Sequence, residues 1–422
     1  MPVSAFRLFS EELIMSASYA RVLRIPHARR TFVTALVGRL SYGIVPLSVM
    51  LAVTRASGSY AVAGTVMALF GATVVFLAPA RASLIDRHGP RRALVPMLVA
   101  YTVLLGLLTA AVWRPGAPAY LLGTLTALAG ACVPPLGPTM RTVWSRLAPD
   151  RDLRQRAYSL DAVAEELLFV SGPLLVGVLV GAVTPAAGIV VGAALMVTGA
   201  VGFVSSPVVR GMAPAGRSGA GGRGGRGRPV LRRIGRPVTA AVAVGVALGV
   251  LDLLVMVFAE RHHHGGASVA WVLAALSAGS AVGGLLNGAV HWRTSAPVRL
   301  ALLTAGLGLA LLGAGLAPGL GTLTLTMTVA GLFVSPALTT AYLIADEAVA
   351  DEARTRAGAW VNTAVNAGST AGTAAAGVLA GRLPVSGCFA VTGAAVVLTA
   401  LAVAKGARRG RTAEAKGALA AV

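Results

Sequence analysis

Long apolar runs divided by short basic ones dominate this chain, and few folds can house that pattern. Stretches near 20 residues occur at roughly 32–54, 61–80, 93–113, 118–139, 157–182, 185–206, 238–259, 267–290, 297–317, 320–343, 357–381 and 386–404. As helices rising about 1.5 Å per residue, each crosses the roughly 30 Å hydrocarbon core of a bilayer. Charged residues make up only 12% of the 422, and apolar ones 56%, against about 25% and about 45–50% in soluble domains. Too few polar groups exist to clothe a globule of this size. The expected class is an all-α membrane protein with twelve transmembrane helices.

A formal charge of +21 would, in a soluble chain, suggest nucleic acid. Aromatics amount to 5% and do not alternate with basic residues, so no stacking platform for bases is evident. Nucleic acid is not expected as a partner. The arginines instead mark one membrane face. With the N-terminus placed inside, the inner segments hold 31 of the 36 Lys and Arg. The outer loops receive Arg55, Arg114, Arg261 and Arg382, and Arg39 lies within the first span. A wrong span count would scramble this asymmetry, so both termini are expected in the cytoplasm.

The organisation follows from these spans. Residues 1–30 read as a cytoplasmic lead-in, because Glu11 and Glu12 depart from a secretory leader. Residues 31–208 would form one six-helix bundle and 238–405 a second. The Gly- and Arg-rich segment 209–237 would be a flexible cytoplasmic linker, and 406–422 a cytoplasmic tail. Cys132 and Cys388 lie in apolar runs and read as small core hydrophobes. No phosphate-cradling loop, metal-ligand spacing or nucleophile–base set is present, so neither an enzyme, a metal site nor a cofactor is expected.

Between the second and third spans stands Arg81-Ala82-Ser83-Leu84-Ile85-Asp86-Arg87-His88-Gly89-Pro90-Arg91-Arg92. Gly89 and Pro90 can turn the chain while the arginines hold the turn at the lipid–water boundary. This run resembles the loop signature of the major facilitator superfamily, G-x-x-x-D-R-x-G-R-R, with Ala82 in place of the first glycine and Pro90 in place of a basic residue. The fifth span carries Gly172-Pro173 and Gly177, which resemble the G-x-x-x-G-P-x-x-G-G signature of exporters in that superfamily. Leu168 and Val176 replace two of its glycines. Physically, Pro173 removes a backbone hydrogen bond and the glycines admit a close neighbour, as suits a hinge. The loop after the eighth span, Asn287–Arg299, occupies the equivalent place in the second half but has no Asp.

The resemblance implies two six-helix halves around a central site, with a cytoplasmic gate built on Asp86, Arg87, Gly89, Arg91 and Arg141. In family members the loop aspartate meets a basic group at the end of helix four and the positive N-terminus of helix eleven. Drug exporters of the family tend to carry an arginine within helix four; here Leu121–Thr139 has none.

Charges within the hydrocarbon are costly and usually functional. Arg39 lies about eight residues into the first span, and Glu165 and Glu166 a similar distance into the fifth, all roughly 12 Å from the inner side at 1.5 Å per residue. The resemblance implies that these two helices are neighbours, so Arg39 should pair with Glu165 or Glu166. Asp161, one turn earlier, adds another acid. Carboxylates this close in low dielectric cannot all ionise freely, which would suit proton coupling; a static helix-locking pair is the other reading. Asp252 is a lone acid in the seventh span, and Asn362 and Asn366 share one face of the eleventh. Together Arg39, Asp161, Glu165, Glu166, Asp252, Asn362 and Asn366 form the expected substrate and proton pathway. The expected function is secondary transport of a small organic solute by a monomer in the cell membrane, as a proton-coupled exporter. An importer of the same fold and a non-transporting receptor or scaffold are the alternatives.

Overall fold

A computed structural model describes residues 19–113, 116–148, 150–212, 230–263, 266–290 and 292–419. Most of the lead-in, residues 213–229 of the linker and the last three residues of the tail lie outside the described residues. The protein is all helix among the described residues: α1 Ala28–Ser57, α2 Tyr60–Phe76, α3 Ala78–His88, α4 Pro90–Val112, α5 Ala119–Cys132, α6 Leu136–Leu147, α7 Arg151–Ala182 and α8 Pro185–Val204. A short α9 (Pro207–Arg210) and α10 (Val230–Arg233) flank the linker. The second half holds α11 Gly235–Arg261, α12 Gly266–Ala289, α13 Ala296–Ala314, α14 Leu320–Glu347, α15 Arg354–Ala380 and α16 Val385–Leu419.

Local chemistry sets the breaks. Gly58 (φ 65°) ends α1 in the left-handed region, where a Cβ is strained. Gly89 (φ 83°) separates α3 from α4, and Pro90 opens α4, where its missing amide costs nothing. Two expected spans are not single rods. The stretch 61–80 bends by 41° between α2 and α3. The stretch 118–139 breaks at Pro134-Pro135 into α5 and α6, because two consecutive residues without amide hydrogens cannot continue the ladder. Among the described residues nine helices are long and apolar enough to cross a membrane, ten with the bent pair counted as one. Two further long helices, α7 with 32 residues and α15 with 27, are not among these and carry polar groups described below.

The chain forms two compact units. The first comprises Met1–Pro149, Ala164–Arg226 and Asp351–Ala359; the second comprises Asp150–Val163, Gly227–Ala350 and Trp360–Val422. Each therefore includes a short segment from the other half of the sequence: the start of α7 in the second unit, and the start of α15 in the first.

Within the first unit α1 packs on α8, α2 on α5, and α4 on both α5 and α8. Within the second, α11 packs on α16, α12 on α14, and α13 on both α14 and α16. These are the same pairings six spans later, so the internal repeat is real at the level of helix contacts. Small residues make the seams. A Cβ on Gly199 of α8 would overlap the Gly38 backbone of α1. Gly279 and Gly283 of α12 lie against Thr328 O and Leu332 O of α14, and Gly368 and Gly372 of α15 against Val242 O and Val246 O of α11. Such contacts let backbones approach closely where lipid offers no hydrophobic drive for association.

Candidate transport pathway and gate

In the first unit three charged side chains converge from three helices. Arg39 Nη2 (α1) lies 2.9 Å from Glu165 Oε2 (α7), and Arg141 Nη2 (α6) lies 2.5 Å from the same oxygen. Arg39 is only 1% exposed, whereas Glu165 keeps 26% of its side-chain surface. The helices can approach because Gly43 and Gly172 lie back to back: a Cβ on Gly172 would come within 2.7 Å of Gly43 Cα. Gly172 is thus a close-approach residue, while Gly177 faces open space and α7 runs on as helix through Pro173. Arg141, expected at the gate, is engaged with Glu165. Glu166 is half-buried, and Asp161 on the preceding turn is fully buried.

Tyr42, one turn beyond Arg39, serves the broken fourth span. Its hydroxyl donates to Pro134 O and accepts from Leu136 N at 3.0 Å.

The loop acid finds a backbone partner. Asp86 Oδ2 accepts from Arg356 N at 2.9 Å, in the first turn of α15, and Thr355 also hydrogen-bonds to it. An anion at a helix N-terminus meets unpaired amides and the positive end of the helix dipole. Two further contacts join the same segments within this unit: Thr142 Oγ1 and Thr355 Oγ1 lie 3.0 Å apart, and Arg354 Nη1 donates to Ser145 Oγ at 3.3 Å. Arg87 and Arg91 are exposed and make no hydrogen bond or ion pair among the described residues.

The second unit builds a counterpart without an equivalent of the loop aspartate. At the start of α7, Gln155 Nε2 donates to Asn287 O at 2.5 Å and Arg156 Nε to Gly288 O at 3.3 Å, both carbonyls at the end of α12. Arg299 Nη1 (α13) donates to Gln155 Oε1 at 2.8 Å. Arg154 pairs with Asp346 at 3.3 Å, and Arg151 with Glu347 at 2.9 Å. Here arginine and glutamine donate to the loop's carbonyls, where in the first unit a loop carboxylate accepts from an amide. Sequence reading missed Gln155, Arg299, Thr142 and Thr355. Their polarity inside or beside apolar spans was the available signal.

Along α15 a polar stripe faces outward from the second unit. Asn362 is half-buried, and Asn366, Thr370 and Thr373 are exposed at helical spacing. Tyr342 Oη (α14) donates to Asn362 Oδ1 at 3.4 Å, and Asn366 Nδ2 donates to Asn362 O at 2.8 Å. Asp252 on α11 is exposed and makes no ion pair or hydrogen bond among the described residues. One turn before it, Gly249 O accepts from Thr373 Oγ1 at 3.0 Å, so α11 and α15 are stitched where the acid projects.

The sequence profile of the Major Facilitator Superfamily matches residues 31–322 and, in a second overlapping match, 261–420. The chain belongs to the major facilitator superfamily. It is accordingly a secondary transporter embedded in a membrane, and not an enzyme. Members of the superfamily bind small-molecule substrates, often with coupled ions. No curated protein sequence matches the chain.

Solved structures share the fold at low identity. The human organic anion transporter MFSD10 (TETRAN) superposes with a TM-score of 0.70 at 14% identity, covering 90% of this chain and 99% of its own. A bacterial homologue of the iron transporter ferroportin, outward-facing with soaked iron, gives 0.69 at 13%, covering 89% and 98%. The E. coli fucose:proton symporter FucP gives 0.68 at 14%, covering 92% and 99%. At such identities the likeness speaks for the major facilitator fold alone, and the substrate must be argued from this chain's residues.

Proposed function

We propose that this transporter exports a small organic solute in exchange for protons, as a monomer in the plasma membrane with both termini cytoplasmic. Asp252 carries the coupling reading. A lone carboxyl in an otherwise apolar span is costly unless it reaches a water-filled path or is protonated in part of the cycle. Its exposed side chain and the polar stripe of Asn362, Asn366 and Thr370 on the neighbouring α15 suit a solvated path for solute and proton. The close approach at Gly43 and Gly172 fits the exporter-like signature of the fifth span.

The gate reading rests on Asp86 and the first turn of α15. The contact joins the two halves of the sequence through one carboxylate and backbone amides, weak enough to break in each transport cycle. The basic inner segments support the orientation, with bundles at 31–208 and 238–405. Among the structural neighbours, one is described as a fucose:proton symporter, a precedent in this fold for coupling a solute to protons, here in the opposite sense.

The test is flux in proteoliposomes. Compounds that raise the melting temperature of the purified protein are loaded, and efflux is followed with and without an imposed pH gradient. Gradient-driven movement that Asp252→Asn removes, with solute binding retained, supports the proposal. Identical flux with and without the gradient refutes proton coupling. A tag near Gly221 that is reached only after permeabilisation supports the orientation, and labelling of intact cells refutes it.

A further inference from the structure

The fourth span contains a defect that another residue repairs. Pro134 and Pro135 have no amide hydrogens, so the carbonyls four residues earlier, Gly130 and Ala131, lose their helical donors. Within a bilayer water cannot take that place, and an unsatisfied carbonyl is expensive. Arg81 supplies the missing donors: Nη1 lies 2.6 Å from Gly130 O and 3.2 Å from Ala131 O. Its Nη2 lies 2.7 Å from Val74 O, in the last turn of α2. Arg81 is 6% exposed, and the planar guanidinium fork suits three carbonyls in a way an ammonium does not. Gly130 admits the close approach of α2 to α5 that brings these groups together, since a Cβ there would come within 2.8 Å of Phe70 O.

The position matters as much as the bonds. Arg81 sits on α3, the 11-residue helix whose other end presents Asp86 to Arg356 N. The break it caps leads into α6, which carries Arg141 to Glu165. We propose that Arg81 is a positioning residue that replaces the two absent proline amides, tying the helix of the gate acid to the break ahead of Arg141. Any displacement of α3 then loads the fourth span directly. The inference is independent of substrate, direction and coupling ion.

The proposal is tested by restoring the amides. Arg81→Met and Arg81→Lys are introduced into the native chain and into a Pro134→Ala/Pro135→Ala background, and the full-length proteins are melted in detergent. In the native background Arg81→Met is expected to lower the melting temperature by at least about 5 °C, with Arg81→Lys intermediate. In the alanine background the same substitution should cost less than about 2 °C, because Gly130 and Ala131 have regained their own donors. If Arg81→Met cannot be purified natively but can be in the alanine background, that rescue also supports the assignment. Should the doubly substituted parent itself fail to purify, Pro134→Ala alone, which restores the Gly130 donor, takes its place. A second readout is maleimide labelling of a thiol placed at Ser145, which is 3% exposed and bonded to Arg354, in a chain with Cys132 and Cys388 replaced by alanine. Arg81→Met should speed labelling several-fold in the native background only. Equal losses in both backgrounds, failure to purify in both, or no loss in either would overturn the proposal.

Discussion

Glu165→Gln is the most decisive single substitution in the first unit. One carboxylate oxygen serves two guanidiniums, Arg39 at 2.9 Å and Arg141 at 2.5 Å, in a setting where Arg39 is 1% exposed. The amide keeps the shape and one acceptor oxygen but removes the charge that Glu165 sets against both arginines. Breaking a buried pair by removing one partner costs about 3–5 kcal/mol, because a charge is left uncompensated. Glu165 retains 26% of its surface, so water relieves part of that, and the lower end, about 3 kcal/mol, is expected. At about 2–4 °C per kcal/mol for units of 150–250 residues, the melting temperature should fall by roughly 6–12 °C. The assay is thermal unfolding in detergent, followed by a double-mutant cycle with Arg39→Met. Because the two residues touch, the double mutant should lose less than the sum of the singles, by about 0.5–3 kcal/mol. A melting temperature within about 1 °C of the native value, in the range of an ordinary surface change, would refute the account of this cluster as a structural lock.

Other outcomes follow from the same geometry. Asp86→Ala removes the anion at the first turn of α15, an interaction worth about 0.3–2 kcal/mol, and should speed labelling of a thiol at Ser145; unchanged labelling would remove Asp86 from the gate. Gly172→Val forces a Cβ onto Gly43 at about 2.7 Å and should cost about 1–3 kcal/mol or more. Gly177→Val, facing open space, should cost little in the same melting assay. Asp252→Asn should preserve stability and solute-induced thermal shifts while abolishing the response of efflux to a pH gradient; a retained response assigns the proton to another group.

What the residues declared by themselves was everything that depends on one segment and its solvent. Apolar length gives helices that span, the arginine asymmetry gives an expected orientation, and Gly89-Pro90 gives the turn between α3 and α4. The loop signature around Asp86 was enough to suggest the superfamily, since its spacing is a local pattern. The approximate depth of Arg39 and Glu165 was likewise legible, because rise per residue is fixed.

The exact pairing was not legible beyond Arg39 with one of two acids, because it depends on which faces meet. Two carboxylates stand side by side at Glu165 and Glu166, and only the packing of α1, α6 and α7 gives the 2.9 Å contact of Arg39 to the first of them and draws in Arg141 from the middle of α6. Pro134-Pro135 breaks the fourth span, which was expected as one helix over 118–139, and nothing in the sequence named Arg81, some fifty positions earlier, as the donor that repairs it. The start of α7 also looks like any helix beginning in the sequence, and only its contacts place Asp150–Val163 in the second unit. Hydropathy is a property of each segment summed over its length, so sequence alone fixes what enters the membrane. A hydrogen bond depends on two groups meeting at a particular distance and angle, so only the tertiary structure decides which polar group answers which.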